Sequence, residues 1–432
     1  MIRLRLDGAA ETMAARLTER AAERWPGAVT GPDDPAAAGL AVAVDGLDEE
    51  AAWFAVSLQL AVALAGDSPA RAIPTRPGGG LSRRGLFSIL SPDGGGADDT
   101  GPRLDLGACQ SLNGCDQCVR ACPPGALAVV DGRLAIDPGL CQRCGACAAA
   151  CPVAAIEHPP WSRRAFAAVL AVVGAAARGR DVALVLSCAR EPRPVSPWVA
   201  WAQVPGVAAV GERLLCRAAA SGAKAVVVHC PDGACGQRRR GRQAVAAVAA
   251  ALAGRGPDLR YVEGPAVADA IRQALAAGHR LGPPPDQADL WAAFDASARA
   301  VAAPGTEARR IGYTGVKVSP ACTSCGACVW ACPRQALALD QGRLTFRTAA
   351  CTACGACVGR CPERAISLGP AGGTVAELSL PALAHQDQLA RCGRCGSVVG
   401  PRAMLRRVAA ILGTPAFPED MCPTCKAGVT WR

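Results

Sequence analysis

The sequence predicts a multidomain α+β protein in which two copies of a cysteine-rich module flank a parallel α/β domain, with a small α/β domain ahead of them and a cysteine-knuckle tail behind. Three observations carry that expectation. Sixteen of the 24 cysteines fall into four runs that each end in Cys-Pro. Shifting the first pair of runs by 210 positions superimposes seven of its eight cysteines on the second pair, the mark of an internal repeat. Between the pairs, helical stretches alternate with β-branched apolar runs, an order that builds a parallel sheet flanked by helices.

Residues 1–73 read strand, helix, strand, helix: "MIRLRLDG", "ETMAARLTERAAERW", "GLAVAVDG", then an apolar helix from Ala51 to Gly66 behind the capping candidate Asp48. This small domain holds no cysteine, so packing or partner docking is expected of it. Its apolar helix is too short, and too interrupted by Ser57 and Gln59, to span a bilayer. The opening "MIRLRLDGAAETMAARL" lacks the apolar core of a secretory signal. Residues 74–101, rich in Gly, Pro and Asp, are expected to be a linker. Within it "LSRRGLF", Leu81 to Phe87, imitates a twin-arginine export signal, but "SILSPDGGG" follows where a hydrophobic stretch is needed. The segment resembles the short prefix that precedes the cysteines in cytoplasmic ferredoxins accessory to periplasmic nitrate reductase. It is taken as a linker or docking segment.

The first module, residues 102–160, carries Cys109, Cys115, Cys118, Cys122-Pro123 and Cys141, Cys144, Cys147, Cys151-Pro152. The second, residues 312–370, carries Cys322, Cys325, Cys328, Cys332-Pro333 and Cys351, Cys354, Cys357, Cys361-Pro362. The last three runs are strict Cys-x2-Cys-x2-Cys-x3-Cys-Pro, and 18 residues separate the runs in both modules. The pattern resembles that by which bacterial ferredoxins hold paired [4Fe-4S] clusters. Three thiolates on one short loop reach three irons, while the fourth, before the proline, serves the neighbouring cluster. The expected sets are Cys109, Cys115, Cys118 with Cys151; Cys141, Cys144, Cys147 with Cys122; Cys322, Cys325, Cys328 with Cys361; and Cys351, Cys354, Cys357 with Cys332. Gly145, Gly326 and Gly355 each follow a ligand and let backbone amides approach the sulfides without a Cβ in the way. Only Cys109 breaks the repeat: its counterpart position is Leu112, "QSLNG" is inserted, and Asp116 replaces the glycine. A longer loop and a nearby carboxylate predict a potential unlike the others at that cluster. "ALAVVDGRLAID" and "ALALDQGRLTFR" read as hairpins turning at Asp131-Gly132 and Gln341-Gly342.

The formal charge of +10 would suggest nucleic acid if it stood alone. Four oxidised clusters with their thiolates would contribute about −8, leaving about +2, so the basic excess compensates cofactors and no nucleic-acid partner is expected. Thiols at this density imply a reducing compartment, hence the cytoplasm.

In the α/β domain, residues 161–305, "DVALVLSC", "GVAAV", "AKAVVVHC" and "LRYVEG" are expected as buried strands. Two of them end in cysteine, which puts Cys188 and Cys230 on the rim where ligands gather in parallel sheets, with Cys235 in "HCPDGACGQ" and Cys216 on an intervening helix. This loosely resembles the delta, iron–sulfur subunit of methyl-viologen-reducing hydrogenases. The resemblance implies a [2Fe-2S] cluster at Cys188, Cys216, Cys230 and Cys235, although "LSCAREP" lacks the family's first cysteine pair; the alternative is a set of reduced cysteines in a cluster-free scaffold. His229 reads as hydrogen-bonded scaffold. "RRRGR", Arg238 to Arg242, reads either as a solvated helix start or as an electropositive edge for an acidic partner.

The tail, residues 385–432, adds Cys392-x2-Cys395 and Cys422-x2-Cys425, two knuckles 26 residues apart. This is a tetrathiolate signal of zinc-ribbon type, with a rubredoxin-like iron as the competitor. An amphipathic helix, "PRAMLRRVAAIL", lies between the knuckles.

From Gly107 onward the order of lengthened first run, α/β middle, second module and terminal cysteine pair resembles the polyferredoxin-like 4Fe-4S proteins encoded with bacterial molybdenum formate dehydrogenases. It implies a multicluster electron carrier whose partner is a formate dehydrogenase or related molybdoenzyme. Two other expectations stand beside it. One is a subunit of a hydrogenase or heterodisulfide-type complex with an added [2Fe-2S] port. The other is a redox-sensing maturation factor for a molybdoenzyme. No general base, nucleophile or substrate pocket is legible in the sequence.

Overall fold

The N-terminal pattern folds into a three-stranded sheet in which Ile2–Asp7 pairs in parallel with Ala38–Ala43 on one side and with Val29–Thr30, a strand the pattern did not signal, on the other. The computed structural model describes residues 2–7, 11–24, 29–30, 38–43, 49–63, 71–72, 101–158, 162–188, 198–232, 235–282, 290–413 and 421–427. Asp48 and the "LSRRGLF" segment lie outside them. Contacts group the described residues into two units. One comprises 1–109, 117–130 and 134–303; the other comprises 110–116, 131–133 and 304–432.

In the first unit the apolar helix Glu49–Ala63 is buried for a simple reason: both of its sides have a neighbour. Ala52, Val56 and Leu60 recur every fourth residue and join Leu17 and Ala21 of the Glu11–Arg24 helix in one core. The helix also packs against Arg163–Ala176 of the α/β domain. Phe54 meets Trp198 with ring centroids 5.7 Å apart, and Glu50 pairs with Arg180. The Arg163–Ala176 helix begins where Ser162 Oγ accepts a hydrogen bond from the Ala165 amide at 3.0 Å, a side-chain N-cap.

The α/β domain is a four-stranded, wholly parallel sheet in the order Val199–Gln203, Ala183–Ser187, Ala225–Cys230, Asp258–Glu263. Every residue of the Ala183–Ser187 and Ala225–Cys230 strands is buried, as central strands covered on both faces must be. One sequence expectation fails. "GVAAV" is not a strand: Val207–Ala209 is a 3-10 turn, and the missing strand is Val199–Gln203. That edge strand alternates in burial between its two faces, so its short signal was weaker than the continuous apolar run that follows it.

The hairpin of the first module, Leu127–Val130 with Arg133–Ile136, turns at Asp131 (φ 50°) and Gly132 (φ 76°). In the second module, Leu337–Asp340 pairs antiparallel with Arg343–Phe346 and turns at Gln341 (φ 48°) and Gly342 (φ 75°). Two successive positive φ angles are what the two-residue type I′ turn requires. Outer strands close each module, Arg103–Leu104 with Ile156–Glu157 and Thr314–Val318 with Ile366–Pro370. In the second unit Ala382–Gln386 extends the hairpin sheet. There Leu389–Arg391 and Val398–Pro401 form a small ribbon, followed by the helix Arg402–Leu412.

Candidate metal centres

The four cysteine loops share a backbone that their sequences only half disclose. The residue before the second cysteine of each run is left-handed: Gly114 (φ 86°), Arg143 (φ 53°), Ser324 (φ 51°) and Ala353 (φ 63°). So is the third residue after each fourth cysteine: Gly125, Ala154, Gln335 and Arg364, at 66°, 50°, 50° and 50°. Alternation of left- and right-handed residues turns successive N–H groups into one concavity, a nest suited to an anion. Gly145, Gly326 and Gly355 are left-handed as well, at 75°, 78° and 80°, each just before a short helix. Backbone conformation is thus a second reason for these glycines. Asp116, in the equivalent place of the first run, is not among the left-handed residues, so the lengthened run follows a different path there. Inside the second unit its inserted loop is held by Arg360, which donates to Asn113 Oδ1 at 3.1 and 3.3 Å.

Three cavities each gather cysteines from both runs of a module. One is lined by Cys141, Cys144, Cys147 and Cys122, a second by Cys322, Cys325, Cys328 and Cys361, and a third by Cys351, Cys354, Cys357 and Cys332. Cys151 lies near enough to Cys109 for the two sulfurs to repel as thiolates; Cys115 directly follows the insertion Gln110–Gly114. Burial, then neighbouring thiols, raise the thiol pKa values, with Cys328 pushed up to about 11 and Cys357 to about 12. Four thiols so arranged are expensive to ionise together without a cation, and the donor set fits iron. Backbone amides already face the sulfurs: Ala155 N–H donates to Cys151 Sγ at 3.0 Å, and Ala336 and Ala365 donate to Cys332 and Cys361 at 3.2 Å. Cys325 is the exposed member of its set, and Trp330, 91% exposed, has its ring 4.0 Å from where a Cβ on the next residue, Gly326, would stand.

In the tail, Cys392, Cys395, Cys422 and Cys425 bring their sulfurs within 4.8 Å of one another, a grouping that could hold one metal ion. The first knuckle is shaped by Gly396 (φ 70°), whose amide donates to the Cys392 carbonyl at 2.8 Å. Backbone amides of Cys422 and Cys395 hold the Cys392 thiol down, to about 6, which favours the ligating thiolate.

The α/β domain brings three of its four cysteines together. Strand order reverses between Ala183–Ser187 and Ala225–Cys230, so the carboxyl ends of those strands form the topological switch point. Cys188 and Cys230 stand there, with the Cys188 amide on the His229 carbonyl at 3.4 Å. Cys235 acts electrostatically on both thiols, and Cys230 is pushed up to about 12 by burial and by Cys188. Cys216 is fully buried in the Glu212–Ala219 helix, and the charged group acting on it is Glu212. His229 has both ring nitrogens engaged, Nδ1 accepting from Ser187 Oγ at 3.0 Å and Nε2 donating to the Gly264 carbonyl at 2.9 Å, the scaffold role its sequence context suggested.

This domain also touches the first module. A Cβ on Gly145 would fall 2.6 Å from Ala209 Cβ, and one on Gly206 would fall 2.7 Å from the Cys144 carbonyl oxygen. The next amide, that of Val207, acts on the Cys188 thiol and opposes the rise that burial gives its pKa. One turn therefore joins the Cys144 loop to the switch-point thiols. Of the "RRRGR" segment, Arg240 donates to the Ala121 carbonyl at 2.9 Å, beside Cys122, and Arg242 pairs with Glu263. The helix begins at Arg238 and its first three residues are exposed, the solvated helix start that was one of the two sequence expectations; the Arg240 and Arg242 contacts add bracing to it.

Sequence reasoning also passed over His158. Its Nε2 lies 3.5 Å from Cys147 Sγ, and burial pushes its pKa down to about 4, keeping the ring neutral at neutral pH. The sequence signal was available: at a shift of 210, the repeat has Leu368 in its place.

A family model described as a 4Fe-4S dicluster domain matches residues 321–366, and one described as a 4Fe-4S binding domain matches residues 134–157. The chain is an iron–sulfur protein with two ferredoxin-type domains, and the divergent first run lies outside both matches. Over 44 residues it is 48% identical to one component of an ion-translocating oxidoreductase complex of Methanosarcina acetivorans, covering 10% of this chain and 17% of that protein. Over 41 residues it is 46% identical to a 7Fe ferredoxin of Hydrogenibacillus schlegelii, covering 10% of this chain and 53% of that protein. The chain thus spans about half of one relative's length and less than a fifth of the other's. Among the described residues no helix is long and apolar enough to cross a membrane.

Proposed function

We propose that this chain is a cytoplasmic multicluster electron relay, with ferredoxin modules at 102–160 and 312–370 that each hold two [4Fe-4S] clusters through exchanged fourth ligands. Bound clusters of this type supply one-electron transfer. The observation that carries the reading is that three separate cavities are each lined by three cysteines of one loop and the Cys-Pro cysteine of the other run. The remaining set is Cys109, Cys115, Cys118 and Cys151, supported by the proximity of Cys151 to Cys109. The tail tetrathiolate holds zinc, whose preference for four thiolates and tolerance of variable spacing suit two knuckles on so small a core. The exposed Cys325 and Trp330 give the second module an open side for a redox partner, which we take to be a molybdenum formate dehydrogenase or relative.

Replacing a fourth ligand tests the exchange. Cys332→Ser is expected to damage the site built on Cys351, Cys354 and Cys357 while sparing the one on its own loop. Damage confined to the Cys322–Cys328 loop would contradict it.

A second reading, a hydrogenase-type subunit with an added [2Fe-2S] cluster, is favoured by the trio Cys188, Cys230 and Cys235 and its link to the Cys144 loop through Gly206 and Val207. In this reading the fourth ligand is Cys216, buried in the Glu212–Ala219 helix. Electron paramagnetic resonance of the reduced protein decides: a [2Fe-2S] signal abolished by Cys230→Ser establishes that cluster, and its absence removes it.

A further inference from the structure

We propose that His158 sets the potential of the site formed by Cys122, Cys141, Cys144 and Cys147 apart from that of its repeat counterpart at Cys332, Cys351, Cys354 and Cys357. It does so by donating its Nε2–H to the Cys147 thiolate. The inference rests on the cluster reading above and deepens it.

The two cavities are a natural comparison. Ala126, Leu127 and Ile136 line one; Ala336, Leu337 and Phe346, at the same repeat positions, line the other. His158 lines the first and Leu368 the second, so the repeat itself supplies an aliphatic control. The side chain sits where the last strand of the module ends, just after Ile156–Glu157, and Leu368 occupies the same place in Ile366–Pro370. Each of these strands packs against the short helix that carries the third cysteine of its run, Cys147 or Cys357.

His158 is only 2% exposed, and its Nε2 is 3.5 Å from Cys147 Sγ, a separation suited to the large sulfur atom. A ligating thiolate has no proton to give, so the proton of that contact belongs to Nε2. Nδ1 is buried with no hydrogen-bond partner among the described residues. Leaving such an atom unpaired costs stability that a leucine would avoid. Among the described residues, the polar contact the ring makes is toward the ligand sulfur.

A one-electron reduction adds a negative charge that spreads onto the ligand sulfurs. A donor aimed at one of them stabilises the reduced form more than the oxidised form and raises the potential. The second module has no such donor at Leu368, so a duplicated pair of sites acquires unequal potentials.

The test is a mediated dithionite titration of the full-length, anaerobically purified protein, followed by electron paramagnetic resonance, with iron counted in each sample. His158→Leu is expected to lower one midpoint by a factor of about ten in the reduction equilibrium, about 59 mV for a one-electron couple. Leu368→His is expected to raise a different midpoint. Unmoved midpoints in His158→Leu at full iron content overturn the proposal. If that variant loses iron, Leu368→His decides in the same way, and loss of iron in both assigns the side chain to packing and also overturns it. Wild-type protein without iron or sulfide would instead defeat the underlying cluster reading.

Discussion

Gly145 and Gly355 occupy the same place in their loops, with φ of 75° and 80°, yet their surroundings differ. A methyl group on Gly355 would meet nothing within 4 Å, whereas on Gly145 it would strike Ala209 at 2.6 Å. Gly355→Ala should therefore cost only the left-handed backbone penalty, about 1–2 kcal/mol. Gly145→Ala should add an overpacking cost of about 1–3 kcal/mol. Urea midpoints of the metal-loaded proteins measure the difference, and an equal loss in both would show that the Val207–Ala209 turn yields freely. Glycine was legible in both sequences; the neighbour that distinguishes them was not, because residues 145 and 209 meet only through tertiary packing.

Among the secondary-structure elements, the tail is held by its knuckles more than by a core. The helix Arg402–Leu412 has no fully buried residue, and Ile411 and Leu412 are 67% and 57% exposed. If the cysteine cluster holds the proposed zinc, a chelator should melt the Leu389–Pro401 ribbon and the Arg402–Leu412 helix while the visible absorbance of the two modules persists. Hydrogen exchange reads this directly, and unchanged protection after chelation would contradict it. Arg240 ties the start of the Arg238–Leu252 helix to the carbonyl end of Gln117–Ala121. Arg240→Ala should speed exchange around Cys118 to Cys122 and cost about 1–3 kcal/mol, as for a charged hydrogen bond. At this scale the hairpin turns were legible because Asp-Gly and Gln-Gly sit between alternating strands. Three of the four parallel strands were legible as apolar runs. Val199–Gln203 was not, since an edge strand with one open side carries less apolar sequence than the buried "GVAAV" turn beside it.

For the whole molecule, the side chains carry +10 and the four proposed clusters with their thiolates would offset about −8 of it. Loaded protein should leave a cation exchanger at distinctly lower salt than cluster-free protein; coincident elution would contradict that compensation. The two ferredoxin-type domains were the most legible part of the sequence, because cysteines on short loops keep fixed spacings. The His158 contact was not, because it depends on which way elements pack. The most direct measurement is the iron, acid-labile sulfide and zinc content of anaerobically purified protein. Four paired cubanes and a tetrathiolate zinc require about 16 Fe, about 16 sulfide and about one Zn per chain; a folded, colourless protein without sulfide would contradict them.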